Sequence, residues 1–273
     1  MKKIIAMVLC IMMLISVAAM ANAEAVDYSQ FTGATIDAIK EKGKIVLGTE
    51  ATYPPFEFLD ESANFAGCDI WLSQQIADAL GVKLEVMDMA FDGIISAVKV
   101  GQVDIGIAAF TVTEERAMEI DFSDVYQRDL QMFVVKKGNE DLYSTKESIV
   151  GLQVGAQRGT VQSQLIQKAL PESVLFELDK YPALALEVIN GNIAGLVVDG
   201  AVGTSLVETN DGLAVSNFMF DPADADFGKA ATLAKGTDDL KALVNAVIAQ
   251  VTSDGTFAAA YAAAEEQAKS MGI

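Results

Sequence analysis

The sequence predicts an α/β protein made of two strand-and-helix units joined by two crossing segments. Three observations lead there. Alternating apolar stretches are interleaved with helix-patterned ones from 44 to 107 and again from 149 to 199, an order that places parallel strands under covering helices. Two extended stretches, near 128–132 and 225–230, flank the second run. The chain beyond residue 23 has the length of one large domain or two small ones.

Residues 1–23 read as a cleavable leader, outside the fold. Lys2 and Lys3 precede an apolar run from Ile4 to Met20, and Ala21-Asn22-Ala23 has the form of a cleavage site. A transmembrane anchor is the competing reading of that run. Cys10 lies inside the run, so it does not look like a lipid-attachment cysteine, and no second hydrophobic span comes after it.

Residues 24–42 form an arm ending in a short helix, ATIDAIKEKG, closed at Gly43. KIVLGTE is a strand, and Pro54-Pro55 excludes helix from the turn YPPFEF. Leu72, Ile76, Ala79 and Leu80 mark the buried face of a helix over 69–80, stopped by Gly81. KLEVMDM alternates as a strand, FDGIISAVKVG turns Ile94 and Val98 inward as a helix, and Val103, Ile105 and Ile107 give the next strand. After Tyr126, LQMFVVKKG is extended. The second unit then runs IVGLQVGA (strand), VQSQLIQKAL (helix, ended by Pro171), SVLFELD (strand), ALALEVIN (helix, stopped by Gly191) and AGLVVD (strand). FGKAATLAKG reads as the return crossing. A helix capped at Thr237, with Leu240, Leu243, Val247 and Val251 on one face, and an Ala-rich helix after Gly255 should rejoin the first unit.

Composition removes several function classes. The formal charge is −19, and losing residues 1–23 would take away two further lysines, so nucleic-acid and anionic-lipid binding are ruled against. The chain has no histidine, which removes His-based triads, the usual general base and most zinc sites. Cys68 alone survives loss of the leader and reads as a packed small residue. The acids of DPADADFG lack the terminal Glu of a calcium loop and read as a solvated loop, so neither metal nor cofactor is expected.

Three stretches carry candidate chemistry. In GQVDIGIAAFTVTEERAMEIDFSDVY, Thr111 and Thr113 are helix-capping types and Arg116 sits about a turn into the helix. A strand end, a helix start and a guanidinium together suit a carboxylate. An ion pair with Glu119, Asp121 or another surface acid is the other reading of Arg116. VGAQRGT lacks the Lys of a phosphate-binding loop, since Val161 comes directly after Thr160, and reads instead as a helix start whose hydroxyl and amides accept a carboxylate. Asp199 ends a strand, either facing the crevice or capping the helix that Gly200 begins.

GQVDIGIAAFTVTEER…IDFSDVY resembles a segment of the family 3 solute-binding proteins, the amino-acid-binding proteins of ABC transporters. GTEATYPPFEFLDE at 48–61, GCDIWLSQQIADALG at 67–81, MAFDGIISAVKVG at 89–101, VGAQRGT at 154–160, GNIAGLVVDG at 191–200 and TSDGTFAAAY at 252–261 resemble the family's further motifs in order. The resemblance implies a type II periplasmic-binding-protein fold, an α/β protein of two lobes with the ligand in the cleft. Lobe 1 is expected at 43–128 plus 228–273 and lobe 2 at 129–227. It implies that Arg116, with Thr111 and Thr160, holds a ligand carboxylate and Asp199 its α-ammonium. Ala108, Ala109, Gln157 and Gln162 are also placed around the ligand. Tyr53 and Phe91 match the positions whose rings flank the ligand side chain, although both also suit a lobe core. Glu50 matches an acid found when the ligand is cationic. Arg158 stands where a neutral residue is common and adds a cation near the cleft mouth, opposing a cationic ligand. The Val125-Tyr126-Gln127 departure from the family's Pro-Tyr-Tyr leaves the first hinge less rigid.

The same resemblance implies a monomeric periplasmic protein that binds a free L-amino acid, arginine or lysine first and glutamine next. Such a protein delivers its ligand to an ABC permease without chemistry. A dehydratase-like enzyme using carboxylates alone and a sensor acting on a receptor in trans are the alternatives.

Overall fold

The computed structural model describes residues 26–273; the leader expected at 1–23 lies outside them. After a 3-10 turn at Tyr28–Gln30, α1 (Ala34–Lys42) ends on the left-handed Gly43 as its sequence requires. It leads into β1 (Lys44–Thr49), then β2 (Thr52–Tyr53), β3 (Glu57–Leu59) and β4 (Phe65–Ala66), which form a small antiparallel sheet. α2 (Cys68–Leu80), β5 (Lys83–Asp88), α3 (Phe91–Lys99) and β6 (Ile105–Gly106) come next, then α4 (Glu114–Glu119) and β7 (Asp121–Phe122). The ten-residue β8 (Gln127–Lys136) leads into the second lobe: β9 (Gln153–Gln157), α5 (Val161–Ala169), β10 (Val174–Leu178), α6 (Tyr181–Asn190), β11 (Gly195–Asp199), α7 (Gly200–Thr209) and β12 (Leu213–Val215). α8 (Pro222–Ala225), β13 (Asp226–Lys229) and β14 (Thr232–Leu233) return the chain, which ends with α9 (Asp238–Ser253) and α10 (Thr256–Met271).

The first sheet has the order β5-β1-β6-β14-β7. β1 is parallel to β5 and β6, as the strand–helix order predicts, but β14 and β7 close the edge antiparallel. The parallel strands expected over 44–107 are present; the antiparallel edge is added by two-residue strands too short to show a period, with β14 entering from the returning chain. In the second sheet, β10-β9-β11-β8-β12, β9 is parallel to both neighbours while β8 runs antiparallel to β11 and β12. β8 changes partners along its length. Residues Gln127 to Leu130 pair with β13, and from Gln131 onward the strand pairs with β11. The two chain crossings therefore lie side by side as a hydrogen-bonded ribbon.

Alternation decides what each face buries. On β1, Ile45 and Leu47 pack with Leu72 and Ile76 of α2, while Val46 packs with Ile94 and Val98 of α3. On β8, Phe133 and Val135 face Leu165 and Ile166, and Val134 faces the side that holds Leu184 and Val188. Leu243 and Val247 of α9 join the α2 side, so the last helices do rejoin the first lobe. Asp239 accepts the N–H groups of Thr35 and Ile36 at 2.8 and 3.1 Å, tying the start of α1 to α9. Thr237, expected to cap α9, instead turns its hydroxyl to Ala234 O. No helix of the described residues is long and apolar enough to cross a membrane.

Gly67 joins β4 to α2 at φ 115° and ψ 166°, a conformation open essentially to glycine alone. A Cβ there would lie 2.1 Å from the carbonyl oxygen of Phe56. Gly67→Ala is expected to destabilise the fold by at least about 1–3 kcal/mol, read as a lower denaturant midpoint. An unchanged midpoint would show that the turn carrying Tyr53 and Glu57 does not depend on this close approach.

Candidate ligand-binding site

The carboxyl ends of the parallel strands in both sheets meet at one place, where open α/β sheets offer loops and helix starts to a ligand. The end of β1 delivers Glu50, β2 Tyr53 and the start of α3 Phe91. The segment after β6 delivers Ala108, Ala109 and Thr111, and α4 Arg116. From the second lobe come Gln157 at the end of β9, Thr160 and Gln162 at the start of α5, and Asp199 at the end of β11. All these sequence-predicted positions line one cavity of about 20 Å3, room for roughly one water molecule. A solute of amino-acid size enters only when the lobes part.

Arg116 is half-buried and held in place. Its Nη1 donates to Thr111 O at 2.8 Å and its Nη2 to Gly159 O of the other lobe at 3.0 Å. The guanidinium carbon lies 5.5 and 5.3 Å from the centroids of the Phe91 and Phe110 rings, which stack at 4.6 Å. Burial draws its pKa down to about 10, so it stays cationic at neutral pH. Thr113 caps α4 by accepting Arg116 N–H; Thr111, the other expected cap, points elsewhere.

Asp199 sits where the α7 cap would be, but its side chain makes no cap bond. The carboxylate turns into the cleft. Tyr53 OH donates to Oδ2 at 2.7 Å, Gln131 Nε2 to Oδ1 at 2.5 Å, and Lys229 Nζ forms an ion pair with Oδ2 at 2.5 Å. Lys229 is 1% exposed and reaches Thr111 Oγ1 at 3.4 Å. Gln162 fixes Gln131 by donating to its carbonyl at 2.8 Å.

Glu50 is buried, accepting from Thr52 Oγ1 at 2.6 Å and from Gln157 Nε2 at 3.2 Å, with Lys180 Nζ 3.5 Å away. Thr160 caps α5 and donates its hydroxyl to Gln157 O. Arg158, the extra cation expected near the mouth, is exposed, does not line the cavity and pairs with Asp179 at 3.2 Å. Cys68 is fully buried, and burial pushes its thiol pKa up, in keeping with a packing role. Among the described residues no cluster of acids and cysteines could hold a metal ion.

Four lining residues escaped the sequence reading: Glu57, Val161, Tyr181 and Lys229. Glu57 lies opposite Tyr53 in the small sheet and is buried, and its Oε2 has no hydrogen-bond partner. Burial, then the nearby Asp69 and Glu50 charges, holds its pKa well above the usual carboxylate range. Asp69 is raised by burial as well, although Ala109 N–H and Tyr126 OH donate to its Oδ2 at 2.7 and 2.9 Å. Val161 comes directly after a helix cap, and Tyr181 precedes Pro182 at a helix start, so both had a local signal. Lys229 had one too, as the single cation in FGKAATLA.

Residues 45–263 match the bacterial extracellular solute-binding proteins, family 3. The chain belongs to that family. The L-cystine-binding protein TcyJ of Escherichia coli K12 is 31% identical over 225 residues, 82% of this chain and 83% of that protein. The amino acid ABC transporter substrate-binding protein AbpA of Streptococcus pneumoniae, solved bound to L-arginine, matches with a TM-score of 0.82 at 29% identity, over 85% of this chain and 98% of that one. The ancestral amino acid-binding protein AncCDT-1, a precursor of cyclohexadienyl dehydratase, matches with a TM-score of 0.77 at 31% identity, over 84% and 98%. This solute-binding protein accordingly has the two-lobed type II periplasmic-binding-protein fold.

Glu57 and Asp69 lend it a pH signature. Their folded pKa values are raised, so the folded chain keeps protons that the unfolded chain releases above about pH 4.5, and stability falls as pH rises past that value. Glu57→Gln keeps an amide donor beside Asp69 and removes the Glu57 share. The variant's urea midpoint is expected to fall less between about pH 5 and pH 8 than the wild type's. Parallel curves would sink the assignment of a protonated Glu57.

Proposed function

We propose that this chain is the substrate-binding component of an amino-acid ABC transporter, capturing one small solute reversibly between its lobes and handing it to a permease. The observation that carries this reading is Arg116. A cation oriented by two carbonyls and two aromatic faces at the mouth of an interlobe cavity is a receptor for a carboxylate, which its fork can take through parallel hydrogen bonds. Closing the lobes dries that contact and so strengthens it. We assign lobe 1 to 43–128 plus 228–273 and lobe 2 to 129–227, with β8 and β13 bending between them, and take the protein to act as a monomer in the periplasm.

The solute side chain points toward Glu50. Buried Glu50, an acid lining the cavity, supports a cationic group there, arginine or lysine before glutamine, and Arg158, which would oppose one, is absent from the lining and pairs with Asp179. AbpA, solved with L-arginine, and TcyJ, named for L-cystine, mark the range over which such proteins vary. No chemical step is assigned; AncCDT-1 itself is named an amino acid-binding protein.

Native mass spectrometry of the purified protein, then calorimetric titration with L-arginine, L-lysine, L-glutamine and L-cystine, tests the reading. Arg116→Ala should weaken the bound solute by several hundredfold. The loss of one partner of a desolvated pair costs about 3–5 kcal/mol, and about 1.4 kcal/mol is tenfold. Wild-type affinity in Arg116→Ala would remove the carboxylate assignment.

A further inference from the structure

We infer that Glu57 is a positioning residue for solute capture. Holding its proton, it donates to Asp69, and that pair sets the loop leading from β6 to Arg116, so solute affinity falls when rising pH takes the proton away. The inference rests on the reading that Arg116 holds a carboxylate.

Glu57 and Asp69 meet within the first lobe, so their contact is independent of whether the cleft is open or closed. Asp69 N–H donates to Phe56 O at 2.9 Å, which seats the start of α2 on the residue before Glu57. The two side chains are 1% and 0% exposed and come within hydrogen-bonding reach of each other. Two carboxyl groups brought together out of water do not both ionise at neutral pH; one keeps a proton. Asp69 suits the charge, because Ala109 N–H and Tyr126 OH already donate to its Oδ2 at 2.7 and 2.9 Å. Glu57 Oε2 receives no hydrogen bond, so Glu57 is the member that carries the proton.

The groups facing the pair give a second charge no place. Glu50 at the end of β1 adds a further carboxylate, and Cys68 on α2 and Tyr126 before β8 are neutral. Among the described residues that face the pair, Lys229 on β13 is the cation, and one ammonium cannot balance two carboxylates. Ionised, Glu57 would push Asp69 from its place. Asp69 holds Ala109 at φ 46°, a left-handed backbone that is costly for a residue with a side chain. Two residues on, Thr111 O accepts Arg116 Nη1 at 2.8 Å. Once Ala109 relaxes, that carbonyl moves and the guanidinium loses its aim at the solute carboxylate.

The test is calorimetric titration of L-arginine, L-lysine and L-glutamine into the purified wild type and Glu57→Gln from about pH 5 to about pH 9, with a melting curve confirming folding at each pH. Gln donates to Asp69 at every pH and has no proton to lose in that range. Wild-type affinity should fall by more than about tenfold between the two ends, taken relative to the same ratio in Glu57→Gln, which corrects for titration of the solute itself. The fall should be alike for every solute on the panel that binds, because it acts through the carboxylate they share. Asp69→Asn removes the other half of the pair and should flatten the profile as well, so it serves if Glu57→Gln fails to fold. A wild-type profile parallel to the variant's, or one that rises with pH, overturns the inference and leaves the Arg116 reading standing. So does a fall confined to the two cationic solutes when L-glutamine also binds. If no solute on the panel binds, or Arg116→Ala binds as the wild type does, the carboxylate reading fails and this inference goes with it.

Discussion

A carboxylate taken out of water has to find its counter-charge and donors inside the protein, and Asp199 finds them in three separate parts of the chain. Tyr53 reaches it from the small sheet of the first lobe, Gln131 from β8, and Lys229 from β13. Satisfying one buried charge therefore requires both lobes and both crossing strands to be in register with one another. Further interlobe contacts lie close by. Arg116 meets Gly159 O, Gln157 meets Glu50, and Gln164 meets Glu115, each near a strand end or helix start that the Asp199 cluster has already brought close.

A second buried centre holds up the floor of the cavity. Asp69 opens α2, accepts Ala109 N–H and Tyr126 OH, and lies beside Glu57. Ala109 sits at φ 46°, left-handed for a residue with a side chain, and the short bond to Asp69 fixes the peptide there. The loop that leads to Arg116 is thus set by a carboxylate forty residues earlier in the chain. Glu57 and Asp69 share this spot at a cost in carboxylate ionisation, which fits the wider pattern of strain and perturbed acids gathering where ligands bind.

Much of both sheets could be read from the chain because its signals are local. Apolar strands ended at Glu50, at Ala156 just before Gln157, and at Asp199, helix starts were marked by Thr113 and Thr160, and the fold gathers those ends. The antiparallel edge of β7 and β14 was not legible, since two residues carry no period and their partners are distant. Thr111 and Thr237 looked like caps by residue type, yet Thr111 lies beside the Lys229 ammonium, which type alone does not reveal. Glu57 was hidden between Phe56 and Phe58, where strand alternation suggests a solvated acid; the small sheet instead covers it. Arg158 was visible, but its pairing with Asp179 depends on where β10 ends relative to β9. Lys229 was visible as a lone cation, and nothing in the sequence says that thirty residues upstream Asp199 would need it.

The change of partners along β8 has a mechanical meaning. Two loose connectors would let the lobes wander in every direction before meeting. Strands joined by a hydrogen-bonded ladder over Gln127 to Leu130 and Asp226 to Lys229 make a flat spring instead, soft to bending across its face and stiff to shear within its plane. Such a spring steers motion along one arc. Tyr53 and Asp199 are far apart in the chain, yet in the proposed closure that arc would return them to the same encounter each time, with little orientational search left to make.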